Sequence, residues 1–294
     1  MKDNNLFNKE SSIYMGAQTI QEKCNIGIFG VEFDGTTSYK PGARFGPNAI
    51  RNASQCLETY CPELKKDLKD MKYYDAGSLI LDFKNTESTL KNIYNGTKYI
   101  LNKNLKPLIF GGEHSLTIGA VQALAERFPN LALIQLDAHA DLRNSYQNNK
   151  YSHACTMRRC LELLEKNKIF QVGIRSGTKT EFDFMTENNQ LINFKSCNKN
   201  NDIGNIFQIL KNTPVYLTID LDWFDPSLIS GTGTPEPGGY FWQDFEHIIK
   251  ALFEINIVGA DIVELSPDLD ISGVSSIVAA KIARSLIMTL DKTS

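Results

Sequence analysis

The sequence predicts one doubly wound α/β domain over residues 1–294, with a mainly parallel sheet covered by helices on both faces. Two observations carry this reading. Short, nearly continuous apolar runs alternate with amphipathic stretches along the whole chain, the pattern of parallel strands buried on both sides. No linker-like shift in composition and no internal repeat interrupts that alternation, so one sheet is the simplest way to house it.

Strands are expected at 25–31, 107–110, 131–136, 169–174, 215–219 and 257–263, where the chain is apolar without a period of two. Helices are expected between them, at 47–56, 89–101, 116–127, 155–166, 203–210, 242–253 and 275–290. In the fifth of these, Ile203, Ile206, Phe207 and Leu210 share one helical face. The polar patches 144–150 and 197–202 read as surface loops.

Composition narrows the function classes. The 31 Lys and Arg against 34 Asp and Glu give a net charge of −3, which excludes a general nucleic-acid binder built on a basic stripe. No apolar run approaches bilayer length, and the first residues carry no apolar signal core. A cytoplasmic chain with no membrane or nucleic-acid partner is therefore expected. The six cysteines include no CxxC pair and read as free thiols. Of only four histidines, three sit inside dense polar motifs.

In open α/β sheets, ligands bind beyond the carboxyl ends of the strands, so the residues just past each apolar run matter most. The run 107–110 leads into GGEHS with His114, and 131–136 into DAHAD with Asp137, His139 and Asp141. The run 215–219 leads into Asp220-Leu-Asp222, and 257–263 into Glu264. In extended backbone, residues two apart point the same way, so Asp137, His139 and Asp141 converge, as do Asp220 and Asp222. Each piece alone is ordinary: an Asp-x-Asp caps a turn, and a His after two glycines packs in one. Together, four carboxylates brought this close resist ionising, and two divalent cations would balance them. Carboxylate and imidazole donors without thiolate favour Mn²⁺ over a zinc thiolate site. The candidate ligands of two ions are His114, Asp137, His139, Asp141, Asp220 and Asp222, and such a pair can hold a bridging hydroxide as nucleophile.

The motifs GGEHS at 111–115, DAHAD at 137–141, SHAC at 152–155, TIDLDWFDPS at 218–227, GTGTPEPGG at 231–239 and ELSP at 264–267 occur in this order. With DGTTSYKPGARFGPNAIR at 34–51, they resemble the ureohydrolase family, which includes arginases, agmatinases, guanidinobutyrases and formimidoylglutamases. The resemblance implies a three-layer, arginase-like fold, a binuclear manganese centre, and hydrolysis of a guanidino group to urea and an amine. It also implies a homo-oligomer, trimeric or hexameric. Carried over by motif, the six ligands above hold the ions. His153 matches the proton-shuttling histidine, with metal-bound Asp141 as its relay, and Glu264 matches the acid that holds the guanidinium. A guanidinium carbon is a poor electrophile, so a metal-bridging hydroxide and an orienting carboxylate suit the chemistry.

The expected substrate is agmatine. Glu236 stands in GTGTPEPGG where arginases have an apolar residue, and an acid near the entrance suits a dication. Arg143 replaces an Asn that arginases use for the amino-acid end. The same Arg143 could pair with the carboxylate of a guanidino acid, which keeps 4-guanidinobutyrate and guanidinopropionate as alternatives, with arginine and formiminoglutamate behind them. A mononuclear zinc deacetylase needs fewer ligands than this set offers, and a non-catalytic metal-binding subunit would show a degenerate one. His247 reads as a surface or helix-packing residue, Trp223 and Phe224 as packing, and Cys155 as an inert buried thiol.

Overall fold

A computed structural model describes residues 6–9, 12–18, 20–192 and 210–291. Within these residues one sheet is built from β1 (Phe7–Asn8), β2 (Ile26–Gly30), β5 (Tyr73–Leu79), β6 (Lys106–Phe110), β7 (Ala132–Leu136), β8 (Ile169–Val172), β9 (Leu191–Ile192), β10 (Val215–Asp220) and β11 (Ile257–Val263). The nine strands lie in the order β1-β5-β2-β6-β11-β10-β7-β8-β9. All neighbours are parallel except β1 on β5. The short strands β3 (Tyr60–Cys61) and β4 (Lys66–Asp67) pair separately as an antiparallel ribbon.

Seven α-helices are described: α1 (Gly46–Ser54), α2 (Thr86–Asn102), α3 (Leu116–Arg127), α4 (Thr156–Cys160), α5 (Lys179–Glu187), α6 (Trp242–Leu252) and α7 (Val274–Leu290). One core joins Ile50 of α1, Phe245 and Ile249 of α6 and Ile282 and Leu286 of α7 to one sheet face. A second core joins Ile93 of α2, Val121 of α3, Met157 of α4 and Met185 of α5 to the other. The expected three layers are thus present. Helix α7 is buried almost all round, as a helix clamped between a sheet and other helices must be.

All six expected strands form. Two helices depart from expectation. The stretch expected as one helix at 155–166 is a 3₁₀ turn at His153–Cys155, then α4, which stops at Cys160. It stops because the N–H groups of Leu163 and Leu164 both close on the Cys160 carbonyl, tightening the last turn. Helix α5 was not expected, although its capping box is written in the sequence: Thr178 accepts from the Glu181 N–H and Glu181 accepts from the Thr178 N–H. The helix expected at 203–210 lies outside the described residues except at Leu210.

Strand β5 was also not expected. Its sequence, YYDAGSL, interrupts apolar character with Asp75, Gly77 and Ser78. These polar groups are buried because they meet Arg51 of α1. Arg51 Nε and Nη2 donate to the two oxygens of Asp75 at 3.0 Å each, and Nη1 and Nη2 reach Ser78 Oγ and the Gly77 carbonyl. Both charged side chains are fully buried. Asp75 also accepts the Tyr14 and Gly77 N–H groups. Each lone pair and proton has a partner, the condition under which a buried pair is tolerated. Replacing Asp75 by Ala strands the Arg51 charge and is expected to cost about 3–5 kcal/mol. Urea unfolding that shows the midpoint falling at an unchanged slope checks this.

Candidate metal centre

Strands β6, β11, β10 and β7 are adjacent in the sheet, and the turns beyond their carboxyl ends carry His114, Glu264, Asp220 with Asp222, and the 137–141 segment. Sheet order therefore brings together residues far apart in sequence. His114 Nδ1 lies 2.9 Å from Asp137 Oδ2, 3.1 Å from Asp141 Oδ2 and 3.4 Å from Asp220 Oδ2. His139 Nδ1 lies 2.9 Å from Asp222 Oδ2 and 3.8 Å from Asp137 Oδ1. Two groups of donors can each hold a cation: His114, Asp137 and Asp141, and Asp137, His139 and Asp222. Asp137 belongs to both, and Asp220 borders the first.

All six expected ligands thus converge, though by more than strand periodicity. Asp141 turns into the left-handed region, with φ of 52°, instead of continuing extended. Asp220 Oδ1 caps the 3₁₀ turn Leu221–Trp223 by accepting the Asp222 N–H at 2.9 Å. Capping engages Asp220 Oδ1, while Asp220 Oδ2 faces the His114 ring.

The His114 ring shows what the cluster is built to hold. Thr218 Oγ1 donates to Asp261 Oδ1 at 2.5 Å, so its oxygen accepts from His114 Nε2, at 2.8 Å. Asp261 is fixed by Thr117 and Tyr216 hydroxyls as well. That chain favours the proton on Nε2, so in its neutral form the ring turns the Nδ1 lone pair toward three carboxylates. Nδ1 is buried and has no hydrogen-bond partner of acceptable geometry among the described residues. A lone pair aimed at carboxylate oxygens is repulsive unless a cation sits between them, and an outer partner that fixes the imidazole tautomer is typical of metal-ligating histidines. Gln135 supplies a second outer contact, donating from Nε2 to Asp137 Oδ2 at 2.6 Å, while Gln135 Oε1 accepts from Gln171 Nε2. Gln135, Thr218 and Asp261 were missed in the sequence. Their signal was available, since each is a polar residue inside an otherwise apolar strand run.

Left to themselves the acids compete for protons. Burial, then Asp222 and Asp141, push Asp137 up to about 7. Burial and the same kind of neighbours hold Asp220 well above the carboxylate range. Against the effect of burial, the carboxylates around His114 raise it well above its ordinary value, and Asp222 raises His139 to about 11. Asp222 falls to about 2, because His139 outweighs its burial. Glu264 is pushed up to about 8 by burial and then by Glu113. It accepts the His114 N–H at 2.8 Å and, like Asp141, has a left-handed backbone, with φ of 65°.

The cluster floors a cleft of about 280 Å³ whose walls include Glu264, His153, Arg143, Tyr146, Ser38 and Glu181. Burial lowers the His153 imidazole, so it is neutral near pH 7. Arg143 stacks on Tyr146, 4.7 Å from the ring centre. Glu236 is not among the lining residues. Its carbonyl instead accepts from Arg175 Nη2 at 2.7 Å. Arg175, another residue not anticipated, also donates to the carbonyls of Asp222, Trp223, Phe224 and Pro237, and so fixes the loop bearing Asp222. Trp223 is buried and stacks on Tyr240 at 4.4 Å, Phe224 is buried beside it, and His247 is exposed on α6. Burial pushes the Cys155 thiol up to about 11, which suits an inert packing role. The described cysteines are all free thiols, and no described helix is long and apolar enough to cross a membrane.

Cations and protons share these oxygens, so cation uptake is expected to release protons and to weaken as pH falls through about 7, where Asp137 takes up its proton. Equilibrium dialysis against Mn²⁺ at about pH 8 and about pH 6, with metal analysis of the protein, should show about two ions per chain at the higher pH and fewer at the lower.

Comparison with known proteins agrees with this geometry. Residues 24–289 match the family model of the arginase family. The agmatinase of Bacillus anthracis is 37% identical over 269 residues, 91% of this chain and 92% of that protein. The N(1)-aminopropylagmatine ureohydrolase of Thermococcus kodakarensis is 41% identical over 248 residues, 83% of this chain and 84% of that one. The crystal structure of the agmatine ureohydrolase of Thermoplasma volcanium superposes with a TM-score of 0.84 at 32% identity, covering 97% of this chain and 96% of that one.

Proposed function

The chain belongs to the arginase family, hydrolases of guanidino compounds, and from that premise we propose that it converts agmatine and water to urea and putrescine with two manganese ions. The observation that carries this reading is the cleft itself. A cluster of donors for two cations forms its floor, while a guanidinium-sized acid and a neutral imidazole stand on its walls. His114, Asp137, His139, Asp141, Asp220 and Asp222 would hold the ions, which when bound supply Lewis acidity and an activated water.

The chain's own residues do the rest. Glu264, protonated near neutrality when it faces only other acids, gains its ionised form when a permanently charged guanidinium docks. The planar fork then lies across a carboxylate already fixed by the His114 N–H. His153, neutral at working pH and half-buried on the cleft wall, can take up a proton and deliver it to the departing amine. Asp141, which lines the same cleft, would relay that proton.

Agmatine is favoured over arginine by what the walls offer its far end. Glu181 lines the cleft, and its carboxylate is pinned by the Leu142 and Thr178 N–H groups, which would offer an acceptor of fixed position to a second ammonium. Agmatinases also stand among the relatives. The guanidinium of Arg143 supports a second reading, in which it meets the carboxylate of a guanidino acid, and Tyr146 stacking bears on how free it is to do so. Glu236 would act only through the field at the loop it belongs to.

Urea release from Mn²⁺-loaded protein should occur with agmatine and stop on chelation, with arginine, 4-guanidinobutyrate and 3-guanidinopropionate much slower. Preference for a guanidino acid would move the far-end assignment to Arg143, and urea from none of them would defeat the reading. Replacing His153 by Phe is expected to lower kcat about 10²–10⁴-fold. Glu264→Gln should lower kcat/KM at least about tenfold by removing a charge-assisted contact. Steady-state kinetics on variants that keep their metal check both.

A further inference from the structure

The loop after β2 contributes Ser38 to the cleft lining and contacts His153 through Thr36 and Ser38. Its base is stapled to the turn that carries His114, because Glu113 N–H donates to the Phe33 carbonyl at 2.7 Å. Only glycine fits at 112, where a Cβ would sit 1.9 Å from that carbonyl oxygen. Beyond the staple, Thr36 touches two functional neighbours at once. Its backbone N–H donates to Glu113 Oε2, and its hydroxyl donates to Glu113 Oε1, each at 2.6 Å. The same hydroxyl oxygen accepts the His153 backbone N–H at 3.0 Å and lies 3.3 Å from His153 Nδ1.

Proton inventory decides what that last contact is. A threonine hydroxyl has one proton, and here Glu113 Oε1 takes it. Oε1 also accepts from Ser115 Oγ at 2.5 Å, so three donors converge on this carboxyl group and it is their acceptor when ionised, the form they favour against its burial. The Thr36 oxygen can therefore only accept from His153, which requires the proton to be on Nδ1. Ser152 Oγ, 3.4 Å from Nδ1, can turn its own proton away and accept as well. Nε2 is then left with its lone pair, next to Ser38 Oγ at 3.5 Å, and both Ser38 and His153 line the cleft.

We infer that Thr36 is a positioning residue for the reaction: its hydroxyl, oriented by Glu113, holds the His153 ring with Nδ1 protonated and Nε2 presented to the cleft as the atom that gains and returns a proton. Thr36 lines no part of the cleft and acts only through His153. The inference rests on the reading of His153 as proton carrier.

The test is a double-mutant cycle with agmatine as substrate. Thr36→Val keeps the shape and removes the hydroxyl. It is expected to lower kcat about ten- to hundredfold while KM moves by less than about threefold. Metal content should match the parent protein. Thr36→Ser, which restores the hydroxyl, should recover most of the loss. In the His153→Phe background the Val substitution should cost nothing further, since the group it positions is gone. Undiminished kcat in Thr36→Val, loss of metal from it, or an added loss in the His153→Phe background would each overturn the inference. The last would assign the hydroxyl's role to Glu113 instead. Should Thr36→Val fail to fold, Thr36→Ala against Thr36→Ser reads the same difference. Wild-type turnover by His153→Phe alone would defeat the proton-carrier reading, and is seen separately from any effect at Thr36.

Discussion

Four aspartate carboxylates share a buried space with two imidazoles, and that crowding is the constraint on which the rest of the molecule depends. Asp137, Asp141, Asp220 and Asp222 are all buried, and like charges so close oppose one another's ionisation. Two imidazoles alone do not neutralise them; divalent cations would. The surrounding structure makes this arrangement rigid. Gln135 and the backbone N–H of His139 hold Asp137, the Ala138 N–H holds Asp222, and the Thr218–Asp261 chain sets the His114 ring. Much of the polar content of the buried strands is spent on keeping these few oxygens in place.

The sheet order explains why this could be assembled from such distant pieces. The four central strands that deliver the donors are consecutive in space but come from chain segments about 150 residues apart. Arg175 shows how the loops above them are unified. Its guanidinium gathers main-chain carbonyls on either side of the 222–237 loop. The planar donor fork of an arginine suits this task in a way that a lysine's ammonium would not.

Much of this was legible in the sequence because parallel strands and metal ligands both write local signals. The six central strands are apolar runs, and the candidate ligands come within a few residues of their ends. What stayed hidden depended on partners distant in sequence. Strand β5 looked too polar until Arg51 of α1 supplied a counter-charge for Asp75. Gln135, Thr218 and Asp261 looked like blemishes in apolar runs until their partners were in place. The role of Thr36 depends on His153 lying 117 residues away, and no spacing rule reveals it. Glu236 was the reverse case, a conspicuous residue whose described contact is made by its main chain. Helix α5 differs again: its capping box is written locally, but its short span buries only Glu181 and Met185, too little to leave an apolar stripe in the sequence.

Asp141 and Glu264 are non-glycine residues in the left-handed region, a conformation held at a cost of about 1 kcal/mol or more by the surrounding structure. Each sits where a carboxylate must point into the cleft. Glycine at either position would relax the backbone and remove a buried acid, so the sequence best suited to remaining folded differs from the one suited to catalysis at these two places. A lineage released from the need for activity would be expected to drift there first, becoming sturdier as it fell silent.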